Sequence, residues 1–345
     1  MKVALFHHQP VPPRDYGGTE RVCAWLAQGL IEMGHEVTLL APISAGAGDS
    51  SAYSARWQKV TRSLDHRSWS AQENSLDQLK RRLPGGMDVL HSMVPLPQAF
   101  ERELGVPVLT TIHGNGKPAE QFSQGAVFVS RDHARRHGRE LFVWNGLDPE
   151  ELMLGQGPRS GFVFLAKTTW KVKNLRGAAR VCARAGVGLK IAGGVRPWGV
   201  RLEALFRSQW QWLGRISGQE KARFLASARA LLFPVLWPEP FGLVVAEALF
   251  SGTPVLATPQ GSLPELLGEA GGEAVGRLTE WGSSEQALEH WTQLIRDVNS
   301  GKWSADPELC RDYAMRHFHY LKMTESYLEL YRRLRSGQIS AKLEA

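Results

Sequence analysis

With 345 residues, 43% of them hydrophobic and 22% charged, the chain has the length of about two domains and a composition that excludes a disordered protein. Its net charge of +7 lies almost entirely after residue 155, because residues 1–155 hold 16 Lys and Arg against 17 Asp and Glu; this favours an anionic partner for the second half. Three scattered cysteines exclude a disulfide framework or a zinc site and favour a reducing compartment.

The first half opens with the pattern of a strand, a helix and a second strand. "KVALFHH" is an apolar, β-branched run typical of a buried strand. After the loop "QPVPPRDYGG", Thr19 can cap a helix with apolar residues at helical spacing, which Gly34 ends before the strand "EVTLLAP". This order predicts a parallel, right-handed crossover.

The same plan starts again after residue 155. "GFVFLA", "LRGAARVCARAG" and "VGLKIAGG" predict a strand, a helix and a strand. A helix at 218–229, the strand "ALLFPV", a helix in "EPFGLVVAEAL" and the strand "PVLATP" follow. The stretch "DPEELMLGQGPRSG" between the halves, rich in glycine, proline and charge, is the natural boundary.

We therefore predict an α/β protein of two Rossmann-like domains, each a doubly wound parallel sheet. Residues 1–152 form the first domain, completed by a C-terminal helix at 317–345, and residues 153–316 form the second. Ligands bind such folds at the carboxyl ends of the strands, so the cleft between the domains is the expected site.

Two loops at predicted strand ends suit an anion. Gly17 and Gly18 precede a helix N-terminus, where backbone amides and the helix dipole attract negative charge, although an ordinary turn explains them as well. Lys167 and Lys173 flank the first loop of the second half and can neutralise a diphosphate; a solvated lysine-rich loop is the other interpretation. The fingerprint G-x-G-x-x-G is absent after both opening strands, which argues against a dehydrogenase.

Two glutamates interrupt a helix that is otherwise apolar and therefore predicted to be buried. Glu247 follows Glu239 by eight residues, about 12 Å along a helix axis at roughly 1.5 Å per residue. This span suits a nucleotide sugar, with one carboxylate at the sugar hydroxyls and the other at the ribose. Free amides at the helix start would face the diphosphate, those of Phe241, Gly242 and Leu243. The alternative is a helix cap and a buried ion pair.

"WPEPFGLVVAEALFSGTPVLAT" with "GSLPELL" resembles the donor-binding signature of the retaining glycosyltransferases of family 4, which have the GT-B fold. The resemblance extends over nearly the whole chain, through "GGTERVCAWLAQGLIEMGHEVTLLAP", "TIHG", "VWNGLD" and "WLGRISGQEKARFLASARALLFP". It implies a retaining, metal-independent hexosyltransferase whose co-substrate is a nucleotide-diphosphate sugar, for which we expect a UDP-sugar.

The resemblance also implies roles for individual residues. Glu239 would contact the transferred sugar, Glu247 the ribose, and His113 the sugar from the first domain; without the resemblance, a lone histidine after "LTTI" is more often structural. Two residues are expected near the base through their backbones, Gly193 and Ile216.

The diphosphate has its own implied partners. Gly17 and Gly18 would approach it through their backbones, and Lys173 matches the family's phosphate-binding lysine. Lys167 stands where the family usually has arginine, which keeps the charge and loses bidentate geometry.

We expect neither a cofactor nor a metal site. No Asp-x-Asp motif occurs, and the neighbouring His7 and His8, read as a strand end, would point to opposite faces. The basic stretch "RDHARRHGRE" could touch an anionic membrane or form a solvated helix face. Tryptophans of the first half could stack on sugars, with core packing preferred for Trp57, Trp69 and Trp144.

The acceptor stays open among a glycan, a lipid and a small molecule. We expect no nucleic-acid partner, because no zinc finger, ribonucleoprotein motif or sustained basic helix occurs. The first apolar run is short for a signal peptide, and no stretch reaches the roughly 18 apolar residues of a membrane span, so we expect a cytoplasmic protein. Two alternatives are a GT-B nucleotide-sugar epimerase and a non-catalytic sugar-nucleotide-binding protein.

Overall fold

The computed structural model describes residues 1–13, 17–42, 55–67, 74–117, 120–195, 210–268 and 272–339, with residues 55–58 described by their backbone alone. The chain divides into two compact units. Unit 1 comprises Met1–Asp148 and Phe318–Ala345, and unit 2 comprises Pro149–His317.

Unit 1 contains a six-stranded parallel sheet with a helix between most pairs of successive strands. The strands are β1 (Lys2–Phe6), β2 (Glu36–Leu40), β3 (Asp65–Arg67), β4 (Val89–Ser92), β5 (Val108–Ile112) and β6 (Ala126–Phe128). The helices are α1 (Gly18–Glu32), α2 (Ala55–Ser63), α3 (Ser75–Arg82), α4 (Gln98–Glu103), α5 (Arg131–Arg136) and, from the C-terminal end, α12 (Tyr320–Arg335). The strand order is β3-β2-β1-β4-β5-β6.

Unit 2 repeats this arrangement. Its strands are β7 (Phe162–Leu165), β8 (Leu189–Ala192), β9 (Trp210–Gly214), β10 (Ala230–Phe233), β11 (Val255–Ala257) and β12 (Gly276–Leu278). Its helices are α6 (Leu175–Ala185), α7 (Gly218–Ala226), α8 (Leu243–Phe250), α9 (Leu263–Gly268) and α10 (Glu285–Ser300), followed by α11 (Pro307–Phe318) at the boundary with unit 1. The strand order is β12-β11-β10-β7-β8-β9.

Both sheets are wound in the same way. Counted from the first strand of each unit, the order is the 3-2-1-4-5-6 of the Rossmann fold, and every strand pairing is parallel. Strands covered by helices on both faces read as continuous apolar runs, as "KVALF" and "FVFL" do. The predicted α/β class with two doubly wound parallel sheets is confirmed.

The C-terminal helix α12 belongs to the core of unit 1, where it packs on α1. Gly29 of α1 is required at the contact, because a Cβ there would lie 2.1 Å from the Thr324 hydroxyl oxygen. On the neighbouring face, His91 of β4 hydrogen-bonds the Tyr331 hydroxyl at 2.7 Å. None of the helices in the described part of the chain combines the length and hydropathy that crossing a bilayer requires.

Two predicted helix starts are wrong. Helix α1 begins at Gly18 with Gly17 as its N-cap, so Thr19 lies inside the helix and does not cap it. Helix α8 begins at Leu243, because Gly242 adopts a φ of 85° and turns the chain into the helix. Glu239 therefore precedes α8, and the estimate of 12 Å along one helix axis does not apply to the two glutamates.

Candidate functional site

The strand order of unit 2 opens a crevice where β7 and β10 lie side by side. The connections from these two strands run to opposite sides, which is the place where doubly wound sheets bind ligands. Lys167 and Lys173 lie on the loop that follows β7, and Glu239 lies on the loop that follows β10. The fold thus brings together residues that are 66 positions apart in the sequence.

Glu239 is the most closely held side chain of this crevice. Lys173 Nζ donates to Glu239 Oε2 at 2.6 Å, and Trp237 Nε1 donates to the same oxygen at 2.7 Å. The lysine and glutamate side chains are 11% and 9% exposed, so this is a buried ion pair, as the alternative interpretation of the sequence held. The Lys173 ammonium also lies 4.9 Å from the centre of the Trp237 ring and 5.2 Å from that of Phe233.

The start of α8 adds backbone donors to the same loop. No side chain caps this helix within the described residues, so the carboxylate of Glu239 does not cap it. The first amides of a helix have no intrahelical partner, which leaves those of Gly242 and Leu243 available to an anion. Phe241 is buried just before the helix, where its carbonyl accepts a hydrogen bond from the Ser262 hydroxyl at 2.8 Å.

Glu247 lies in the middle of α8, facing a different partner. Lys221 Nζ of α7 donates to Glu247 Oε1 at 2.6 Å, and the two side chains are 12% and 7% exposed. Sequence reasoning missed Lys221. The signal in the sequence is a lysine in the amphipathic helix that precedes the signature, which alone does not identify a partner.

Lys167 is placed differently from Lys173. Its ammonium lies 4.6 Å from the centre of the Trp170 ring, and it has no carboxylate partner in the described part of the chain. Trp170 is 43% exposed and packs edge-on against Trp237, with ring centres 5.8 Å apart. Two lysines that the sequence analysis had paired, and two tryptophans that it had not considered, therefore line the loops after β7 and β10.

The residues expected near the base follow the next strands of the sheet. Gly193 follows β8 with a φ of 119°, and a Cβ there would lie 1.9 Å from the Ala166 carbonyl oxygen. Glycine is thus required at position 193, where this loop passes against the backbone of Ala166. Ile216, which follows β9, is buried two residues before α7.

In unit 1 the predicted residues lie at the ends of β1 and β5. Gly17 and Gly18 open α1, and a Cβ at Gly17 would lie 2.7 Å from Oε2 of Glu20. The Thr19 hydroxyl donates to that carboxylate at 3.0 Å. The N-terminus of α1 therefore already has a carboxylate beside it, which the expected anion site did not include.

His113 directly follows β5, and its Nε2 is buried with no hydrogen-bond partner among the described residues. Burial, together with the nearby His7 and His133, lowers the pKa of His113 to about 3. The imidazole is therefore neutral at pH 7 and can exchange a hydrogen bond with a ligand without carrying charge.

The expectation for His7 and His8 is wrong. Strand β1 ends at Phe6, so strand alternation does not apply, and the two rings are stacked with centres 5.2 Å apart. His7 Nδ1 accepts the Gln9 amide hydrogen at 2.9 Å, and its Nε2 donates to the Thr19 hydroxyl oxygen at 3.2 Å. His7 is thus a structural partner of the α1 start.

The remaining candidates have mixed outcomes. Trp144 packs against Phe318 with ring centres 5.7 Å apart, whereas the Trp57 side chain and Trp69 lie outside the described residues. Of the basic stretch, Arg136 donates to Asp132 at 2.7 Å. Membrane contact by this stretch stays a prediction.

Two glycosyltransferase family models match different parts of the chain. Residues 16–146 match the model "Glycosyltransferase Family 4", and residues 159–297 match the model "Glycosyl transferases group 1". A 41.2 kDa protein in the cps region of Klebsiella pneumoniae is 30% identical over 121 residues, which are 35% of this chain and 32% of that protein. The chain thus matches about a third of the length of this curated relative.

Solved structures match over almost the full chain. AviGT4, a glycosyltransferase involved in avilamycin A biosynthesis, has a TM-score of 0.74 at 25% identity, covering 97% of this chain and 98% of its own. HepE of Anabaena, in complex with UDP-glucose, has a TM-score of 0.67 at 16% identity and covers 97% of this chain and 100% of its own.

Proposed function

Because this chain belongs to the GT-B glycosyltransferases, we propose that it transfers a hexose from a nucleotide-diphosphate sugar to an acceptor hydroxyl with retention of configuration. One observation carries the proposal. Lys173, Glu239 and the uncapped start of α8 converge at the switch point of the unit 2 sheet. A cation and free amides suit the diphosphate, and a carboxylate suits sugar hydroxyls.

We assign the donor contacts as follows. The diphosphate lies against Lys167, Lys173 and the first amides of α8, and the carboxylate of Glu239 accepts hydrogen bonds from the sugar. Glu247 binds the ribose, and Lys221 keeps its buried charge paired. UDP is the proposed nucleotide, and the fold shared with HepE, which binds UDP-glucose, supports this choice.

The proposed mechanism is a front-face displacement. The acceptor hydroxyl attacks the anomeric carbon on the side from which the diphosphate leaves, and a leaving oxygen takes the hydroxyl proton. Lys167, Lys173 and the α8 amides stabilise the charge that grows on the leaving group, so no metal or protein nucleophile is required. His113, neutral at pH 7, orients the sugar through a hydrogen bond.

The acceptor is proposed to bind unit 1. A cavity of about 320 Å³ lies against β5, where Thr110 and Ile112 contribute to its lining. Its lining includes the polar side chains of Gln98, Glu101 and Thr110, and no Lys or Arg is among the described residues that line it. This composition favours hydroxyl groups of a glycan or a small molecule over an anionic headgroup.

A thermal-shift panel of UDP, GDP, ADP and their sugars tests the proposal, because a ligand that binds only the folded state raises the melting temperature. Isothermal titration then separates the two glutamates. Glu247→Gln should weaken UDP binding, whereas Glu239→Gln should lower turnover more than UDP affinity. A protein that binds no nucleotide sugar, or one that converts the sugar of the donor without any acceptor, would overturn the proposal.

A further inference from the structure

Glu239 receives both of its hydrogen bonds on one oxygen. Lys173 and Trp237 donate to Oε2 at 2.6 and 2.7 Å. Within the described residues, Oε1 has no hydrogen-bond partner. It is also not one of the polar side-chain atoms that are fully buried without a partner. The carboxylate therefore has one oxygen that the protein holds and one that remains available to a ligand.

The backbone of Glu239 is fixed as well. The Ser262 amide donates to the Glu239 carbonyl at 2.9 Å. Gly261, with a φ of 63°, lets the two segments meet, because a Cβ there would lie 2.3 Å from the Glu239 nitrogen and 2.4 Å from its oxygen. With the main chain held, the direction of the carboxylate depends on the groups that bind Oε2.

Trp237 differs from Lys173 in having a single donor. The three hydrogens of the Lys173 ammonium can serve a diphosphate and Glu239 together, whereas the one indole N–H of Trp237 is committed to Oε2. The ring is oriented by two contacts, the Lys173 ammonium over its face and Trp170 edge-on at 5.8 Å. The direction of the N–H is therefore set by packing and does not require a ligand.

We propose that Trp237 is a positioning residue for the donor sugar: it fixes Oε2 of Glu239 and thereby presents Oε1 to a sugar hydroxyl. The inference rests on the proposed function. It identifies Trp237 as the residue through which the contact between Trp170 and Trp237 affects recognition of the sugar. Trp237 acts only through Glu239, so its contribution should appear with the sugar and be absent for the nucleotide alone.

Trp237→Phe removes the N–H and keeps a ring over Lys173. The matched control is Trp303→Phe, since Trp303 lies against Arg277 of the edge strand β12, away from the crevice, and its indole N–H makes no hydrogen bond within the described residues. Isothermal titration measures the Kd of UDP and of UDP-glucose for each variant. If the thermal-shift panel selects another nucleotide, GDP with GDP-mannose or ADP with ADP-glucose takes the place of this pair. Melting temperatures confirm that each variant is folded, and Trp237→Leu replaces Trp237→Phe if the latter is not.

The expected result is a selective loss. Trp237→Phe weakens UDP-glucose binding about tenfold, the loss of one hydrogen bond to a charged group, and changes UDP binding less than about twofold. In a Glu239→Ala background the same substitution should have no further effect on UDP-glucose binding. The Trp303→Phe control should match the wild type for both ligands.

Three outcomes would overturn the inference. They are a Trp237→Phe protein that binds both ligands like the Trp303→Phe control, one that has lost affinity for UDP and UDP-glucose alike, and a substitution that keeps its full effect in the Glu239→Ala background. A wild-type protein that binds none of the nucleotide sugars would instead refute the proposed function itself.

Discussion

The buried pair of Lys221 and Glu247 allows a quantitative test of how α7 supports α8. Lys221→Met keeps an unbranched apolar side chain of similar length and removes the charge. The pair is 2.6 Å apart with side chains 12% and 7% exposed, so solvent does little to replace the lost cation. Removing one member of a buried ion pair costs about 3 kcal/mol or more, and we expect a loss of that size in the free energy of unfolding.

Urea unfolding at pH 7, followed by tryptophan fluorescence, measures this loss. The matched control is Lys302→Met, which breaks an ion pair with Asp297 whose lysine side chain is 73% exposed. This substitution should lower the free energy of unfolding by less than about 1 kcal/mol. A buried pair is screened little, so the loss in Lys221→Met should be nearly the same at low and high salt.

A double-mutant cycle gives the decisive result. If the cost comes from the buried carboxylate that has lost the Lys221 ammonium, Glu247→Gln in the Lys221→Met background should recover about half or more of the lost stability. Strictly additive effects, or a loss no larger than in Lys302→Met, would refute the reasoning that the pair is a coupled, buried unit.

Three further predictions concern charge. Lys173→Ala should cost on the order of 2–3 kcal/mol in transition-state stabilisation while Lys167→Arg is tolerated, and wild-type kcat/KM in Lys173→Ala would contradict this role. Transfer in excess EDTA should proceed near the untreated rate; a loss that magnesium or manganese restores would show that a metal neutralises the leaving group. Burial lowers the pKa of His91, His113 and His133 to about 3 from 6.5, so the unfolded chain binds more protons between these pH values. The free energy of unfolding should therefore fall as the pH drops below about 6.5, and urea titrations that show no pH dependence down to pH 4.5 would contradict this burial.

Much of the fold could be predicted because its signals are local. Apolar runs such as "KVALF" and "FVFL" and the helical spacing after Gly18 need only neighbouring residues to be recognised. The errors in these predictions are also local. The helix starts were misplaced where a glycine conformation, such as the φ of 85° at Gly242, decides the boundary.

The candidate site was predicted only in part. Strand-end loops identified Lys167, Lys173 and Glu239, since ligands of doubly wound sheets bind there. That Lys173 donates to Glu239, and that Trp237 shares the same oxygen, followed from the structure alone. The sequence pattern left a buried ion pair as one alternative and offered no partner for either glutamate.

By itself the sequence determined the alternation of strands and helices, the class of fold and the positions of the charged residues on the loops. Only the tertiary structure decided which charges are paired. Lys221 and Glu247 are 26 residues apart on two helices, and Lys173 and Glu239 are 66 apart on loops that the strand order brings to one edge of the sheet. The reason is that periodicity reports which face of an element is apolar, whereas an ion pair depends on where two separate elements meet in space.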